Sequence, residues 1–543
     1  MQTQEPQPQN QNQPQNQEPQ QNPKEETPIT SSYPPDFISQ EESIPSDIEE
    51  TEIIESILKK DYNLFESENE SLKRQEVIIK LDSLVKKACE NLGIKKGLSQ
   101  QDAHNAGGKL FSFGSYRLGV VSPGDDLDVL CVGPDHCDRD QFYDEMEKQL
   151  RTEKDITQIS PVKDANVPII KIIFSGIPVD ILVARLNYKT INENLTLEDD
   201  NVLRYCSGKC ILSLNGCRVT NAILSLVPDK ENFKLTLRVI KLWAKKRGIY
   251  GNVIGYPGGV AWAILVAKVC QMFPKLKPNK LIRKFFHVYA NWNWEEPVKI
   301  TELKKDVGFK CEIEVWKPKD DKDKDKYFNV LTILTPAFPS QNTNYNTTET
   351  TKRVLIEEFI KFANYTENIV FDNNDKEVRL KWHNLFNEID FFNEYNVFLQ
   401  IDILATTSEN FKYWDGLVES RLRFLITGFL DLPQIKLRPY TKGFQIQDMS
   451  FQFEKTYFYG IDFNDPDEIL KNIQNQNKDD LLLINVRPAV KYFISKINEK
   501  RKTQSDMNVR LKIRTSDNLP IQILQMKKNE YDMNKAYKKR KLE

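Results

Sequence analysis

Two acidic residues one position apart, Asp126 and Asp128, stand in the segment Gly124-Asp125-Asp126-Leu127-Asp128-Val129-Leu130. In a strand, residues two apart share a face, so these carboxylates project together while Leu127 and Val129 point the other way. Like charges that close repel, and a strand holds them together only where cations or donors neutralise them. Mg2+ is the natural hard, oxygen-seeking choice. A third carboxylate, Asp180, interrupts the otherwise apolar run from Ile177 to Val183, where a charge is costly unless it joins the same ion site. Three Asp on neighbouring strands suit a two-metal centre of the kind that serves in-line displacement at phosphorus. Upstream, Gly114-Ser115 offers a tight turn and a hydroxyl able to cradle phosphate. The chain has only four histidines and no Ser-His-Asp set, so metal-assisted phosphoryl or nucleotidyl transfer is the expected chemistry.

A second feature points to an anionic ligand. Within KLTLRVIKLWAKKRG, residues Lys234, Arg238, Lys241 and Lys245 fall at i, i+4, i+7 and i+11, a narrow basic stripe on an otherwise apolar helix. Such a helix is largely buried, so its stripe is expected to line a cleft. Tyr250, Asn252 and the Pro257-Gly258-Gly259 break follow, offering a ring, an amide and close backbone approach beside that cleft. The eight cysteines show none of the paired CxxC spacings of a zinc site, although Cys206, Cys210, Cys217 and His136-Cys137 are the residues to consider. Scattered cysteines fit a reducing compartment better than a disulfide framework.

The elements that must position these groups follow from periodicity. Ile53, Ile54, Ile57 and Leu58, then Val77, Leu81, Leu84 and Val85, recur at helical spacing, so two amphipathic helices precede the acidic segment. DLDVLCV, PIIKIIF and IPVDILVARL read as strands, the last two as a hairpin about Ser175-Gly176. Helical periodicity returns over residues 232–273 and 352–363, with the charge run KPKDDKDKDK between them as a solvated linker. Beyond about residue 370, NVFLQIDILA and NVRLKIRT alternate with WDGLVESRLRFLITGFL, which suggests a third, α+β part.

At 543 residues the chain exceeds one compact core. Lys plus Arg (76) nearly cancels Asp plus Glu (78), so any basic surface is local. The longest strongly apolar stretch, residues 258–267, is too short to span a bilayer, and no membrane association is expected. Twenty of the first 30 residues are Gln, Asn or Pro, the composition of a disordered arm. The cluster Lys538, Lys539, Arg540 and Lys541 near the end reads either as a nuclear import signal or as solvated terminal lysines.

The order FGSYRLGV, GDDLD, PIIKIIFSGIPVDILVARL, SLNGCRVT, LRVIKLWAKKRGIYGNVIGYPGGVAWAILVAKVCQMFP, NWNW, ILTPAFPSQNTNYN and WDGLVESRLRFLI closely resembles the eukaryotic nuclear poly(A) polymerases, members of the DNA polymerase β-like nucleotidyltransferases. The resemblance implies an α+β multidomain chain with a nucleotidyltransferase palm, a helical central domain and a C-terminal domain similar to an RNA recognition motif. The expected divisions are an arm over 1–49, N-terminal helices over 50–90 packing with the central domain, the catalytic domain over 91–215, the central domain over 216–369, the RNA-binding domain over 370–525 and a basic tail over 526–543. It further implies AMP transfer from ATP to an RNA 3′ end, action in the nucleus as a monomer, and docking to subunits of the pre-mRNA cleavage and polyadenylation complex.

At the level of residues, the resemblance makes Asp126, Asp128 and Asp180 the ligands of two Mg2+ ions, with Mn2+ able to substitute. Phe113, Gly114 and Ser115 become part of the triphosphate site, with Leu127 between the two acids included in the nucleotide set. Lys241 and Tyr250 contact phosphates, while Val167, Asn252, Gly259, Val260 and Thr335 surround the nucleoside. Asn215 and Lys171 match positions near sugar or RNA. Asp125 stands where the family commonly has a small residue; alternation puts it on the opposite face, outside the metal set. Rival readings are a terminal uridylyl- or CCA-adding transferase, a DxD glycosyltransferase that has no need of Asp180, and an RNA-binding scaffold with a decayed site.

Overall fold

The computed structural model describes residues 36–163, 165, 167–318, 330–371, 375–432, 435–446, 451–463, 478–500 and 506–527. The arm before residue 36, most of the charge run and the basic tail from residue 528 lie outside them.

The catalytic part is a five-stranded sheet of order β1-β2-β5-β4-β3, with β1 Lys109–Ser112, β2 Leu127–Gly133, β3 Ile156–Val162, β4 Ile169–Phe174 and β5 Ile177–Arg185. β2 and β5 run parallel and set Asp128 directly opposite Asp180, while antiparallel β4 sets Lys171 opposite Asp180. The expected hairpin forms: Ser175 (φ 50°) and Gly176 (φ 82°) take left-handed backbone conformations and join Phe174 to Ile177. Primed two-residue turns of this kind match the twist of the flanking strands.

The two helices that the periodicity predicts form ahead of the sheet, followed by a short third, Gln100–Ala106, but the two part company. Pro45–Lys60 joins the helical body through Ile54, Ile57 and Leu58. Its buried Glu50 accepts from Trp382 Nε1 at 2.7 Å and from Asn279 Nδ2 at 2.6 Å. Glu68–Lys95 opens with a capping box between Ser67 and Glu70 and packs Val77, Leu81, Leu84 and Val85 against the strand residues Val129, Ile170 and Ile181. The expectation that both helices pack with the central domain is therefore corrected for the second. Apolar periodicity shows that a face is buried without saying against what. The division expected at 215/216 also falls inside one helix, Gly208–Leu226, whose Ile211 and Leu214 face the sheet while Val219 and Ile223 face the helical body.

The helical body comprises Lys230–Lys246, Gly259–Met272, Pro278–Ala290, Glu349–Glu367 and Asp375–Asn384, closed over Trp243, Trp262, Phe285, Phe286 and Phe359. Trp243 meets Phe286 edge-on at 4.8 Å and Trp262 edge-on at 5.9 Å. The same core continues into a second sheet of order β7-β8-β6-β9, all antiparallel: β6 Val397–Ala405, β7 Ile435–Pro439, β8 Phe453–Phe463 and β9 Met507–Thr515. One face of it, with Leu399, Ile401, Tyr457 and Tyr459, packs on helices Ser408–Glu419, Leu422–Gly428 and Lys478–Asn498.

A buried Arg–Glu–Arg group ties the helical body to this sheet. Glu358 accepts from Arg247 Nε at 2.8 Å and from Arg438 Nη2 at 2.9 Å, all three side chains being almost wholly buried. Tyr256 adds a hydrogen bond from its hydroxyl to the Pro439 carbonyl at 3.1 Å.

Candidate active site

Asp126 ends the loop before β2, Asp128 is the second residue of β2, and Asp180 lies on β5. Each offers a carboxylate oxygen, and these three atoms lie within 4.8 Å of one another. Among the described residues this is the one such group of three His, Cys, Asp or Glu side chains. Parallel register brings Asp128 and Asp180 side by side, and the two-residue period adds Asp126 from the same face. Burial first, then repulsion from Asp126 and Asp180, pushes the Asp128 carboxyl up to about 7, partly offset by Lys171 and Lys241. Lys171 Nζ donates to Asp180 Oδ2 at 2.7 Å. Three hard carboxylates, one of them held at so high a pKa by burial and by its neighbours, form a donor set suited to a divalent cation.

Phe113-Gly114-Ser115 turns the chain against the acids. Gly114 sits at φ 63°, and a Cβ there would strike Asp128 Oδ2, so only glycine lets this backbone approach the carboxylate. Phe113 is accommodated from the other side by Gly216, where a Cβ would fall 2.9 Å from the phenyl ring.

Across from the acids, a cavity of about 410 Å³ is lined by Phe113, Gly114, Ser115, Asp126, Asp128, Lys241, Tyr250, Gly259 and Val260 from the expected set. Asp125, Leu118, Val120, Gly216, Thr220, Leu237 and Lys245 line it as well. Burial lowers the Lys241 ammonium to about 8, against the attraction of Asp125, with Lys245 and Arg238 lowering it further. Burial and the nearby Asp125, Asp126 and Asp128 raise the Tyr250 phenol to about 12, so it remains a hydrogen-bond donor at neutral pH. Lys245 Nζ stands 5.5 Å from the Tyr250 ring centroid, and the Tyr250 hydroxyl lies 3.0 Å from where a Gly259 Cβ would be. A carboxylate wall therefore faces a wall of ammonium and phenol groups, an arrangement that can hold a triphosphate between metal and cation.

The stripe divides. Lys241 and Lys245 reach the cavity, but Arg238 donates to the carbonyls of Leu64 (2.7 Å), Val121 (2.9 Å) and Gly119 (3.0 Å), and Lys234 pairs with Glu231 at 2.6 Å. Arg238 is thus a clamp on the loop before β2, and with Lys234 it lines a second cavity against helix Pro45–Lys60, so the stripe lines clefts as expected but is shared between two of them. Asp125 is also adjusted: it stays outside the carboxylate trio, accepting from the Ser122 amide at 3.0 Å, yet it lines the cavity. Leu127 is fully buried in the sheet core. Val167 is half-buried in the loop before β4, and Thr335 spends its hydroxyl accepting from the Gln341 amide at 2.9 Å; neither lines the cavity. Asn215 and Asn252 lie outside the lining too, but each has a buried side-chain oxygen with no hydrogen-bond partner. Gly216 and Thr220 were not singled out by sequence, although a glycine inside an apolar helical run was a usable signal.

Comparison with known proteins agrees with this geometry. Three family models match in succession: the poly(A) polymerase nucleotidyltransferase domain over residues 35–227, the poly(A) polymerase central domain over 232–388, and the poly(A) polymerase predicted RNA binding domain over 390–457. A poly(A) polymerase of Dictyostelium discoideum is 41% identical over 409 residues, covering 74% of this chain and 49% of that relative. One of Schizosaccharomyces pombe is 40% identical over 389 residues, 71% of this chain and 66% of the relative. A nuclear poly(A) polymerase of Arabidopsis thaliana is 38% identical over 437 residues, 80% of this chain and 58% of the relative. The chain thus spans about half to two thirds of the length of these relatives. With all three domains matched in order around the carboxylate trio, the chain belongs to the poly(A) polymerase family.

Proposed function

We propose that this protein is a template-independent polynucleotide adenylyltransferase that adds AMP from ATP to RNA 3′ ends, in the nucleus, during pre-mRNA polyadenylation. The observation that carries the reading is the convergence of Asp126, Asp128 and Asp180, the first two of which line one cavity with Lys241 and Tyr250. The bond formed joins the RNA 3′-oxygen to the α-phosphorus of ATP; the bond broken releases pyrophosphate, and the hydroxyl proton passes to water. Asp126, Asp128 and Asp180 would hold two Mg2+ ions, or Mn2+ in their place. When bound, such ions lower the pKa of the attacking hydroxyl and offset the charge of the triphosphate.

The chain's own groups supply the rest. Lys241 and Tyr250 hold phosphates, and the Phe113-Gly114-Ser115 turn presents the Gly114 and Ser115 N–H groups to them, the Phe113 N–H being held by the Asp128 carbonyl at 3.1 Å. Gly259 and Val260, which line the cavity, border the nucleoside, with Asn252 beside them offering its unpartnered oxygen. In this reading the protein acts as a monomer docked to subunits of the cleavage and polyadenylation machinery. Primer extension on an RNA oligonucleotide with each of the four NTPs and Mg2+ tests it. ATP is the expected substrate, Asp128→Ala is expected to fold without incorporating, and a preference for UTP or CTP would overturn the adenylation claim.

A further inference from the structure

RNA-recognition sheets stack bases on aromatic rings that stand out from one face. Among the described residues, the C-terminal sheet has no such face to offer. Phe398 and Phe458 are fully buried, covered by Phe392 at 5.5 and 5.2 Å and, with it, by Tyr440, Phe444, Leu519 and Ile523. The opposite face, with Tyr457 and Tyr459, is buried under helices. RNA must therefore meet this part of the molecule elsewhere.

A different set of rings and cations adjoins the cleft. Beside the cavity, the Asn252 carbonyl accepts from Asn346 Nδ2 at 3.0 Å, and Asn346 Oδ1 accepts from Arg423 Nη1 of helix Leu422–Gly428. Tyr345, next to Asn346, is 54% exposed. Arg423 lies 4.9 Å from the Phe424 ring centroid, and Phe424 meets the exposed Tyr492 edge-on at 6.0 Å. Lys496 Nζ sits 5.9 and 5.8 Å from those two rings. Its partner is Glu499 at 2.6 Å, an exposed pair that a phosphate can displace at little cost. Rings interleaved with cations are what a single strand needs, since every base has a face to stack and every linkage a charge to neutralise. The row also begins at the cleft, where the 3′ end must enter.

We infer that the RNA strand upstream of the reacting 3′ end runs over Tyr345, Arg423, Phe424, Tyr492 and Lys496, with bases on the rings and phosphates on the cations. The inference rests on the adenylyltransferase reading above and adds to it which surface of the C-terminal part takes the strand.

Fluorescence anisotropy of a labelled oligoadenylate of about 15 nucleotides, with the full-length chain, reads binding independently of activity. Tyr492→Ala combined with Lys496→Ala, both distant from the chemistry, is expected to weaken binding about tenfold and to lower the slope of log affinity against log salt by about one. The KM for ATP at saturating RNA is expected to stay unchanged. Arg510→Ala with Lys512→Ala, at the rim of the sheet, serves as the control and is expected to bind as wild type. Equal affinity of wild type and the Tyr492/Lys496 variant overturns the inference, as does a loss confined to the Arg510/Lys512 variant. Wild-type protein that binds no RNA would overturn the adenylyltransferase reading together with it.

Discussion

Replacing Asp128 by Asn removes one charge from the trio and leaves its shape. Burial and two neighbouring carboxylates hold the Asp128 carboxyl at about 7 against an ordinary value of 3.8. A carboxyl whose folded pKa is raised binds more protons folded than unfolded between those values, so the metal-free protein loses stability as pH rises from about 4 to about 7. At about 1.4 kcal/mol per pKa unit, the ionised group costs on the order of 4 kcal/mol above pH 7. Asp128→Asn is therefore expected to raise the melting temperature of metal-free protein at pH 8 by up to about 10 °C, and to leave it unchanged at pH 4. Mg2+ is expected to raise the wild-type melting temperature at pH 8 and to do so far less for the variant. Below pH 7 the cation competes with a proton, so its apparent affinity falls about tenfold per unit. Differential scanning fluorimetry over pH 4–9, with and without Mg2+, provides the reading. A wild type whose melting temperature is flat across that range, or a variant stabilised by Mg2+ as much as wild type, would refute the electrostatic account of the site.

Two further substitutions probe the frame around the acids. Glu358→Ala leaves the guanidinium groups of Arg247 and Arg438 buried without their shared carboxylate, and chemical denaturation is expected to show a loss of about 3–5 kcal/mol. Gly114→Ala places a methyl group against Asp128 Oδ2 at a left-handed backbone position, so kcat for AMP incorporation is expected to fall at least tenfold while circular dichroism stays native. Normal turnover in that variant would show that the Phe113-Gly114-Ser115 turn has no part in positioning the acid.

The carboxylate trio was legible in sequence because its geometry is local. A two-residue period puts Asp126 and Asp128 on one face, and Asp180 announces itself as the lone charge in the apolar run from Ile177 to Val183. The Ser175-Gly176 hairpin was legible for the same reason. What sequence could not supply was the identity of the neighbour across a gap. The stripe on Lys230–Lys246 has one spacing, yet Lys241 meets the cavity while Arg238 meets three carbonyls, a difference decided by what the loop before β2 places opposite each residue. Helix Glu68–Lys95 shows an apolar face but not that the strands cover it. The burial of Phe398 and Phe458 depends on segments tens of residues away in sequence folding back over the sheet.

The acids stand on the sheet of the catalytic part, whereas Lys241, Lys245 and Tyr250 stand on the helical body whose core runs on into the second sheet. The two walls of the cavity belong to different blocks, tied together by the Arg238 guanidinium on the carbonyls of Gly119 and Val121. A shift of one block on the other would change the spacing between the acids and the Lys241, Lys245 and Tyr250 wall in a single stroke, so a ligand that bridges the two walls would fix both sets of groups at once.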